Sequence, residues 1–211
     1  MNNYLENLFS RFTELKYLEK ELMSAFEMIK AAYEADGTVF VCGNGGSASD
    51  GEHIVGELMK SFVRKRTVDM DFRRKLSELY GNDGVFMADN LQCGLRAVSL
   101  TSHPALNTAF ANDVNPVMVF AQQLYVMGRP GDVLIALSTS GNSANVIRAM
   151  QLARAKEIKI IAMTGESGGK CKEFTDCLIN VPHHETFRIQ EYHLPIYHTL
   201  CLMVEEYFYG C

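Results

Sequence analysis

The sequence lacks several features that would assign it to a class of protein at once. Its six cysteines include no C-x-x-C pair, so metal clusters and disulfide frameworks are disfavoured and buried free thiols in a reducing cytoplasm are expected. The first residues, MNNYLENLFSRF, have no basic region followed by an apolar core, so we expect no signal peptide. No apolar run reaches about 18 residues, so we expect no membrane span and a cytoplasmic location.

Two nucleotide-binding signatures are also missing. No G-K-[ST] follows either glycine-rich stretch, and after Gly43 and Gly45 position 48 is alanine rather than glycine. A nucleoside triphosphate or dinucleotide cofactor therefore has no support. The 211 residues carry a net charge of −5, which argues against non-specific binding of nucleic acid or anionic membrane. With 47% hydrophobic residues, the composition is that of a globular protein.

Apolar runs alternate with helical patterns along the chain. Strands are predicted at 38–42, 95–100, 133–137, 158–164 and 177–181. Helices are predicted at 3–35 (one long or two short), 47–65, about 70–80, 101–112, 115–127, 143–157 and 186–209, with Pro195 expected to kink or break the last one. This alternation predicts an α/β fold, a doubly wound five-stranded parallel sheet with helices on both faces.

Two loops of small residues follow predicted strands. GNGGSASD (43–50) comes after TVFVC, and STSGNS (138–143) comes after VLIAL. In an open parallel sheet, ligands bind beyond the carboxyl ends of the strands, and each loop precedes a helix whose N–H groups attract an anion. The hydroxyls of Ser138, Thr139, Ser140 and Ser143 suit a phosphate monoester. Ordinary turn and N-cap chemistry is the alternative for each loop alone.

Two segments carry candidate acid–base or metal-binding side chains. His53 and Glu57 are spaced i, i+4 and so share one helix face, where they could bind a divalent metal, act as an acid–base couple or form a surface ion pair. The segment FRIQEYHLPIYH adds Gln190 and His198. His198 lies in an apolar stretch and needs a partner. His193 is expected to be structural, within the chain or at an interface.

Four motifs in order resemble the sugar isomerase (SIS) domain family and, within it, the phosphoheptose isomerases: GNGGSASDGEHIVGEL, STSGNSANVIRA, TGESGGK and RIQEYHLPIYH. The resemblance covers nearly the whole chain except about residues 66–94. It implies one SIS domain over residues 1–211 with a flavodoxin-like sheet, an N-terminal helical layer at 3–35 and an insertion at about 66–94. It also implies a homotetramer with active sites between subunits.

The resemblance further implies conversion of sedoheptulose 7-phosphate to D-glycero-D-manno-heptose 7-phosphate through an enediol. Glu57 and His198 match the acid–base residues. One zinc ion per site would be bound by His53, Glu57, Gln190 and His198. Substrate would be bound by Asn44, Gly45, Gly46, Ser47, Asp113, Ser138, Thr139, Ser140, Ser143 and Gln190.

Two departures from the family pattern leave the substrate open. Ser61 stands where the family usually has an arginine, and the residues after it contain a basic group of Arg64, Lys65, Arg66, Arg73, Arg74 and Lys75. These cations either form a solvated face or cover the site and supply positive charge. The alternatives are an isomerase of another sugar phosphate and a non-enzymatic SIS adaptor protein, which would have no need of the His53, Glu57, Gln190 and His198 set.

Overall fold

The structure is a computed structural model that describes residues 2–210. Its centre is one five-stranded sheet in the order β2-β1-β3-β4-β5, in which every neighbouring pair is parallel. The strands are β1 (Val39–Cys42), β2 (Ala97–Ser99), β3 (Val133–Leu137), β4 (Lys159–Thr164) and β5 (Cys177–Asn180). The predicted doubly wound parallel sheet is confirmed, with each strand inside its predicted range.

Helices cover both faces of this sheet. They are α1 (Asn2–Arg11), α2 (Glu19–Glu34), α3 (Gly46–Met59), α4 (Met70–Tyr80), α5 (Asn82–Asn90), α6 (Pro104–Asp113), α7 (Val119–Met127), α8 (Ala144–Ala155) and α9 (Thr186–Tyr209). Short 3-10 helices occur at Thr13–Leu18, Pro116–Met118 and Gly169–Glu173. The N-terminal helical segment is therefore two helices joined by a 3-10 turn, the second of the two predicted arrangements.

The strands are buried on both sides because their side chains alternate between two cores. Val39 and Val41 of β1 face the core under α1, α2, α3 and α9, whereas Phe40 and Cys42 face the core under α7 and α8. This arrangement explains why the strand sequences are apolar throughout. Within residues 2–210, no helix combines the length and apolarity that crossing a bilayer requires.

Several predicted helix boundaries were wrong. Helix α3 ends at Met59 rather than 65, and α5 was not predicted at all. Helix α6 begins at Pro104 after His103, not at Thr101 or Ser102, because the fixed φ of proline suits the first position of a helix. Pro195 lies inside α9 without interrupting it. The carbonyl that Pro195 leaves without a partner is that of Glu191, an exposed residue that water can reach.

Candidate active site

The two small-residue loops lie side by side at one edge of the sheet. They follow β1 and β3, which are hydrogen-bonded neighbours, and β1 is the strand from which the chain turns in opposite directions towards β2 and β3. The side-chain amides of Asn44 and Asn145 join the loops through two reciprocal hydrogen bonds of 2.9 Å. The loops therefore form one crevice at the switch point where doubly wound folds bind ligands.

Both helices that leave this crevice begin without a side-chain cap. Gly45 precedes α3 with φ +56°, and Ser143 precedes α8 but makes no capping hydrogen bond. Instead, the Ser138 hydroxyl donates to the Ser143 hydroxyl at 3.0 Å. Neither helix is capped by the residue that precedes it, although the Val146 N–H in the first turn of α8 donates to Asn145 Oδ1 at 3.0 Å. Helix starts with N–H groups that no cap takes up favour an anion.

Helices α3 and α9 run parallel and bring the other candidate residues together. Gln190 lies against Gly46 at the start of α3, and Tyr197 contacts His53 two turns later. Glu205 then accepts hydrogen bonds from the backbone just beyond the end of α3. One face of α3 is therefore matched, turn by turn, by one face of α9.

His53 and Glu57 form the centre of this contact. His53 Nε2 lies 3.1 Å from Glu57 Oε1, and His53 Nδ1 lies 3.0 Å from the Tyr197 hydroxyl. The Glu57 side chain is only 10% exposed, and Lys60 Nζ lies 3.4 Å from its other oxygen. The ion pair considered from sequence is therefore present, but only its histidine reaches the surface: the His53 side chain is 42% exposed, whereas the carboxylate is buried in the α3–α9 contact.

Asp50 is a member of this face that the sequence analysis missed. It is buried one turn before His53, where the Tyr197 hydroxyl donates to its Oδ1 at 3.4 Å. Burial raises the pKa of Asp50, although hydrogen bonds from Gln190 and Tyr197 oppose the shift. Its spacing of three residues from His53 and seven from Glu57 was the available signal, since these spacings share a helix face.

His198 completes the set from α9. Its ring packs edge-on against His53, with ring centroids 4.9 Å apart, and lies beside Phe62. Its Nε2 atom is buried and has no hydrogen-bond partner. Burial lowers the pKa of His198, and the nearby His53 adds to the shift. The side chain also borders a cavity of about 240 Å³ between α1 and α9.

The chain is similar to one known domain family, to curated proteins and to solved structures. The SIS domain family model matches residues 3–73 and 85–165. The phosphoheptose isomerase of Rhodospirillum rubrum is 37% identical over 88% of this chain and 85% of its own, and that of Neisseria gonorrhoeae is 35% identical over 97% and 92%. The solved structure of the Neisseria gonorrhoeae enzyme superposes with a TM-score of 0.74 at 33% identity, covering 97% of this chain and 96% of the other.

The chain belongs to the phosphoheptose isomerase family of SIS domain proteins. Residues 74–84, which lie between the two matched segments, comprise most of α4, Gly81 and the first three residues of α5. These two helices pack mainly on each other, and α4 is capped by Asp69, which accepts from the Phe72 N–H at 2.8 Å. The two helices form a hairpin within the segment, about 66–94, that the sequence analysis expected to be an insertion, and the family model leaves only the centre of this hairpin unmatched.

An imidazole nitrogen and a carboxylate oxygen at the centre of the site are donors of the kinds that bind zinc, the ion that the family resemblance implies. If the Tyr197 hydroxyl donates to Asp50, it accepts from His53 Nδ1, and the free electron pair of His53 Nε2 then faces Glu57. Two such atoms 3.1 Å apart need a proton or a cation between them. Two ligands of tetrahedral zinc are separated by about 3.3 Å, given bonds of about 2.0–2.1 Å.

For the other predicted ligands and substrate-binding residues, no hydrogen bond within the described part of the chain leads to His53 or Glu57. Gln190 lies at the level of Gly46 and His198 at the level of His53. Across residues 2–210, no three His, Cys, Asp or Glu side chains are grouped as a metal site. Asp113 is exposed at the end of α6, where its Oδ1 accepts from Asn112, and no hydrogen bond in the described chain joins it to the crevice.

His193 is structural, as expected from its sequence context. It is fully buried, its Nε2 lies 3.3 Å from the Thr164 carbonyl, and burial lowers its pKa to about 4. The prediction of a solvated basic face holds for exposed Arg64 and Arg74 but is wrong for Arg66. Arg66 is 2% exposed, and its guanidinium is paired with Glu205 rather than open to a substrate.

Proposed function

We propose that this protein is an aldose–ketose isomerase that converts sedoheptulose 7-phosphate to D-glycero-D-manno-heptose 7-phosphate. The proposal rests on the buried Glu57 carboxylate, which lies beside His53 and the His198 ring. Glu57 is on α3, the helix that begins at the anion crevice. Relatives that match over most of this chain bear the name phosphoheptose isomerase. An adaptor protein would have no use for a buried carboxylate in this setting.

The crevice binds the phosphate end of the sugar in this proposal. Ser138, Thr139, Ser140 and Ser143 supply hydroxyl donors, and the uncapped first turn of α8 supplies backbone N–H groups. Asn44, Gly45, Gly46 and Ser47, at the start of α3, then contact the sugar. Since α3 leads from this loop towards Glu57, phosphate binding would align the chain of carbons along the helix.

Isomerisation moves one proton between neighbouring carbons through an enediol. Glu57 takes the proton from one carbon and returns it to the next, and burial shields this carboxylate from competing water. His198 moves the hydroxyl proton, for which it has an Nε2 atom with no hydrogen-bond partner. We further propose one zinc ion bound by His53, Glu57, Gln190 and His198, which when bound would polarise the substrate carbonyl. A tight metal ligand is not a free base at the same moment, so Glu57 would hold the ion and move the proton in separate states.

We also propose that the protein acts as a homotetramer with active sites between subunits. The family resemblance is the source of this proposal, and exposed apolar side chains support it: Met70 is 75% exposed, Val126 70% and Phe86 68%. Such side chains commonly mark contacts between proteins. Light scattering coupled to size-exclusion chromatography tests the subunit number, and a monomer at working concentrations would contradict it.

The primary experiment is incubation of the purified protein with sedoheptulose 7-phosphate, with and without added zinc, while NMR follows the formation of heptose 7-phosphate. We expect turnover that a chelator abolishes and that zinc restores. Turnover unaffected by a chelator would contradict the zinc proposal alone. Stoichiometric zinc binding without turnover would point to another sugar phosphate, for which Ser61 and the α4–α5 hairpin are the reasons within this chain.

The role of Glu57 is tested by Glu57→Gln, which keeps the shape of the side chain and removes its basicity. We expect kcat to fall by at least about 100-fold, the usual contribution of a general base. Glu52→Gln is the matched control, because Glu52 lies on the same helix but accepts from Thr101 and Ser102 away from the site. A fully active Glu57→Gln would refute the assignment.

A further inference from the structure

Arg66 and Glu205 form a buried ion pair that the proposed chemistry does not use. Their side chains are 1% and 0% exposed, and Arg66 Nε donates to Glu205 Oε1 at 2.9 Å. The Tyr209 ring covers the guanidinium at 4.6 Å. A buried pair of this kind adds little net stability, because the cost of removing both charges from water offsets their attraction. Its geometric effect is therefore of more interest than its energy.

The guanidinium of Arg66 holds the last turn of α3. It donates to the Leu58 carbonyl at 2.7 Å and to the Glu57 carbonyl at 3.1 Å. Carbonyls at the end of a helix have no partner within the helix, and a cation is favoured there. Arg66 thus binds the backbone of the very residue whose side chain is the proposed base.

Glu205 fixes the segment that follows. Its two carboxylate oxygens accept from the N–H groups of Phe62, Val63 and Arg64 at 2.8, 2.8 and 3.1 Å. Burial disfavours the charged carboxylate, but these N–H groups and Arg66 outweigh it and lower the pKa of Glu205. The pair therefore joins α9 to both the end of α3 and the turn beyond it.

We propose that Arg66 and Glu205 are positioning residues for Glu57, which set the place of its carboxylate relative to His198. The inference rests on the proposed function of Glu57. The ion pair joins the backbone of one catalytic helix to the other, seven residues beyond His198 on α9. A shift of α3 along α9 would move Glu57 past the reacting carbons, and a misplacement of about 1 Å can cost about 100-fold in rate.

The test compares Arg66→Lys with Arg64→Gln as the matched control. Lysine keeps the charge beside Glu205, but one ammonium cannot reproduce the flat set of donors that spans two successive carbonyls and the carboxylate. Arg64, two residues earlier, donates to Glu206 at the surface. For Arg66→Lys we expect kcat to fall at least about tenfold with KM changed less than about twofold. Arg64→Gln should match the wild type within about twofold.

A second readout does not depend on activity. Amide hydrogen exchange should be faster in Arg66→Lys at residues 58–64 and unchanged at the start of α3, while the protein stays folded. Unchanged kcat, or a loss of activity that equals the unfolded fraction, would overturn the positioning role. A wild-type protein that does not turn over sedoheptulose 7-phosphate would contradict the proposed substrate only. Amide exchange in residues 58–64 of Arg66→Lys that stays at the wild-type rate would overturn the positioning inference without any activity measurement.

Discussion

Gly46 is the position where the need for a close approach between α3 and α9 can be tested directly. A Cβ atom built there would lie 2.5 Å from Gln190 Nε2 and 2.6 Å from Gln190 Cδ, and nearer still to Gln190 Oε1. No carbon atom tolerates such distances. Gly46→Ala must therefore displace the Gln190 amide, which also helps to oppose the rise in the pKa of Asp50.

The effect on stability is expected to be small. The atoms displaced are the end of a flexible side chain, so relief costs a strained rotamer of about 0.5–1.5 kcal/mol. Alanine offsets this cost, because it is favoured over glycine in a helix by up to about 1 kcal/mol. The free energy of unfolding should thus stay within about 1 kcal/mol of the wild type. Activity should fall about 10- to 100-fold, as when a residue that orients a metal site is lost.

The assay pairs kcat/KM on sedoheptulose 7-phosphate with urea unfolding for Gly46→Ala and a control, Gly56→Ala. Gly56 lies in the same helix, and a Cβ there would meet no atom within 4 Å. The control should be up to about 1 kcal/mol more stable and fully active. Wild-type activity in Gly46→Ala would refute the argument that Gln190 acts from the place where it lies, and an equal loss in the control would assign the effect to the helix itself.

Two further predictions concern Ser143, in the loop of residues 138–143, and the buried pair of Arg66 and Glu205. Ser143→Ala should lower the free energy of unfolding by no more than about 1 kcal/mol, because the hydroxyl caps no backbone N–H and takes part only in the hydrogen bond with Ser138. KM should rise about tenfold if the hydroxyl binds phosphate, and a loss of about 2 kcal/mol or more in urea unfolding would contradict this reasoning. The pKa of Glu205 is lower in the folded protein than in the unfolded chain. The ionised side chain therefore adds stability at pH values above the unfolded pKa of about 4.3, and this added stability is lost as the pH falls through the folded pKa. Urea midpoints of wild type and Glu205→Gln, measured from about pH 7 to about pH 3, should therefore converge at the acid end, and a constant gap would refute the reasoning.

The sheet could be predicted from the sequence because its strands are short apolar runs with clear ends. A strand buried on both faces needs apolar side chains at every position, and VLIAL and VFVC meet that need. The loops that end them were recognisable for the same reason, since glycine and hydroxyl residues stop the apolar run. Their adjacency is a finding of the structure, in which β1 and β3 are neighbours, because the alternation of strands and helices does not by itself specify the strand order.

The boundaries that failed depend on partners distant in the chain. The periodicity of α3 continues past Met59, but Glu205 takes up the N–H groups of Phe62 to Arg64 in place of further helical bonds. The sequence analysis grouped Arg66 with solvated cations, because no residue near it in the sequence indicates that Glu205 lies beside it in the fold. Helix α5 was missed because it is only nine residues long and its apolar residues form one continuous run at 85–88, so no helical period marks it.

The pairing of α3 with α9 has a consequence for the order of synthesis. His53 leaves the ribosome about 140 residues before Tyr197, its hydrogen-bond partner (the bond spans 144 positions). All five strands and both loops of the crevice precede α9 in the chain. The segments of the sheet and of the anion crevice are therefore synthesised before α9, which still has to cover one face of the sheet, and Glu57 and His198 cannot meet until α9 docks. Within one subunit, the proposed catalytic pair is thus assembled by the last helix to be synthesised, and a chain that stops before α9 lacks that pair however well its sheet is formed.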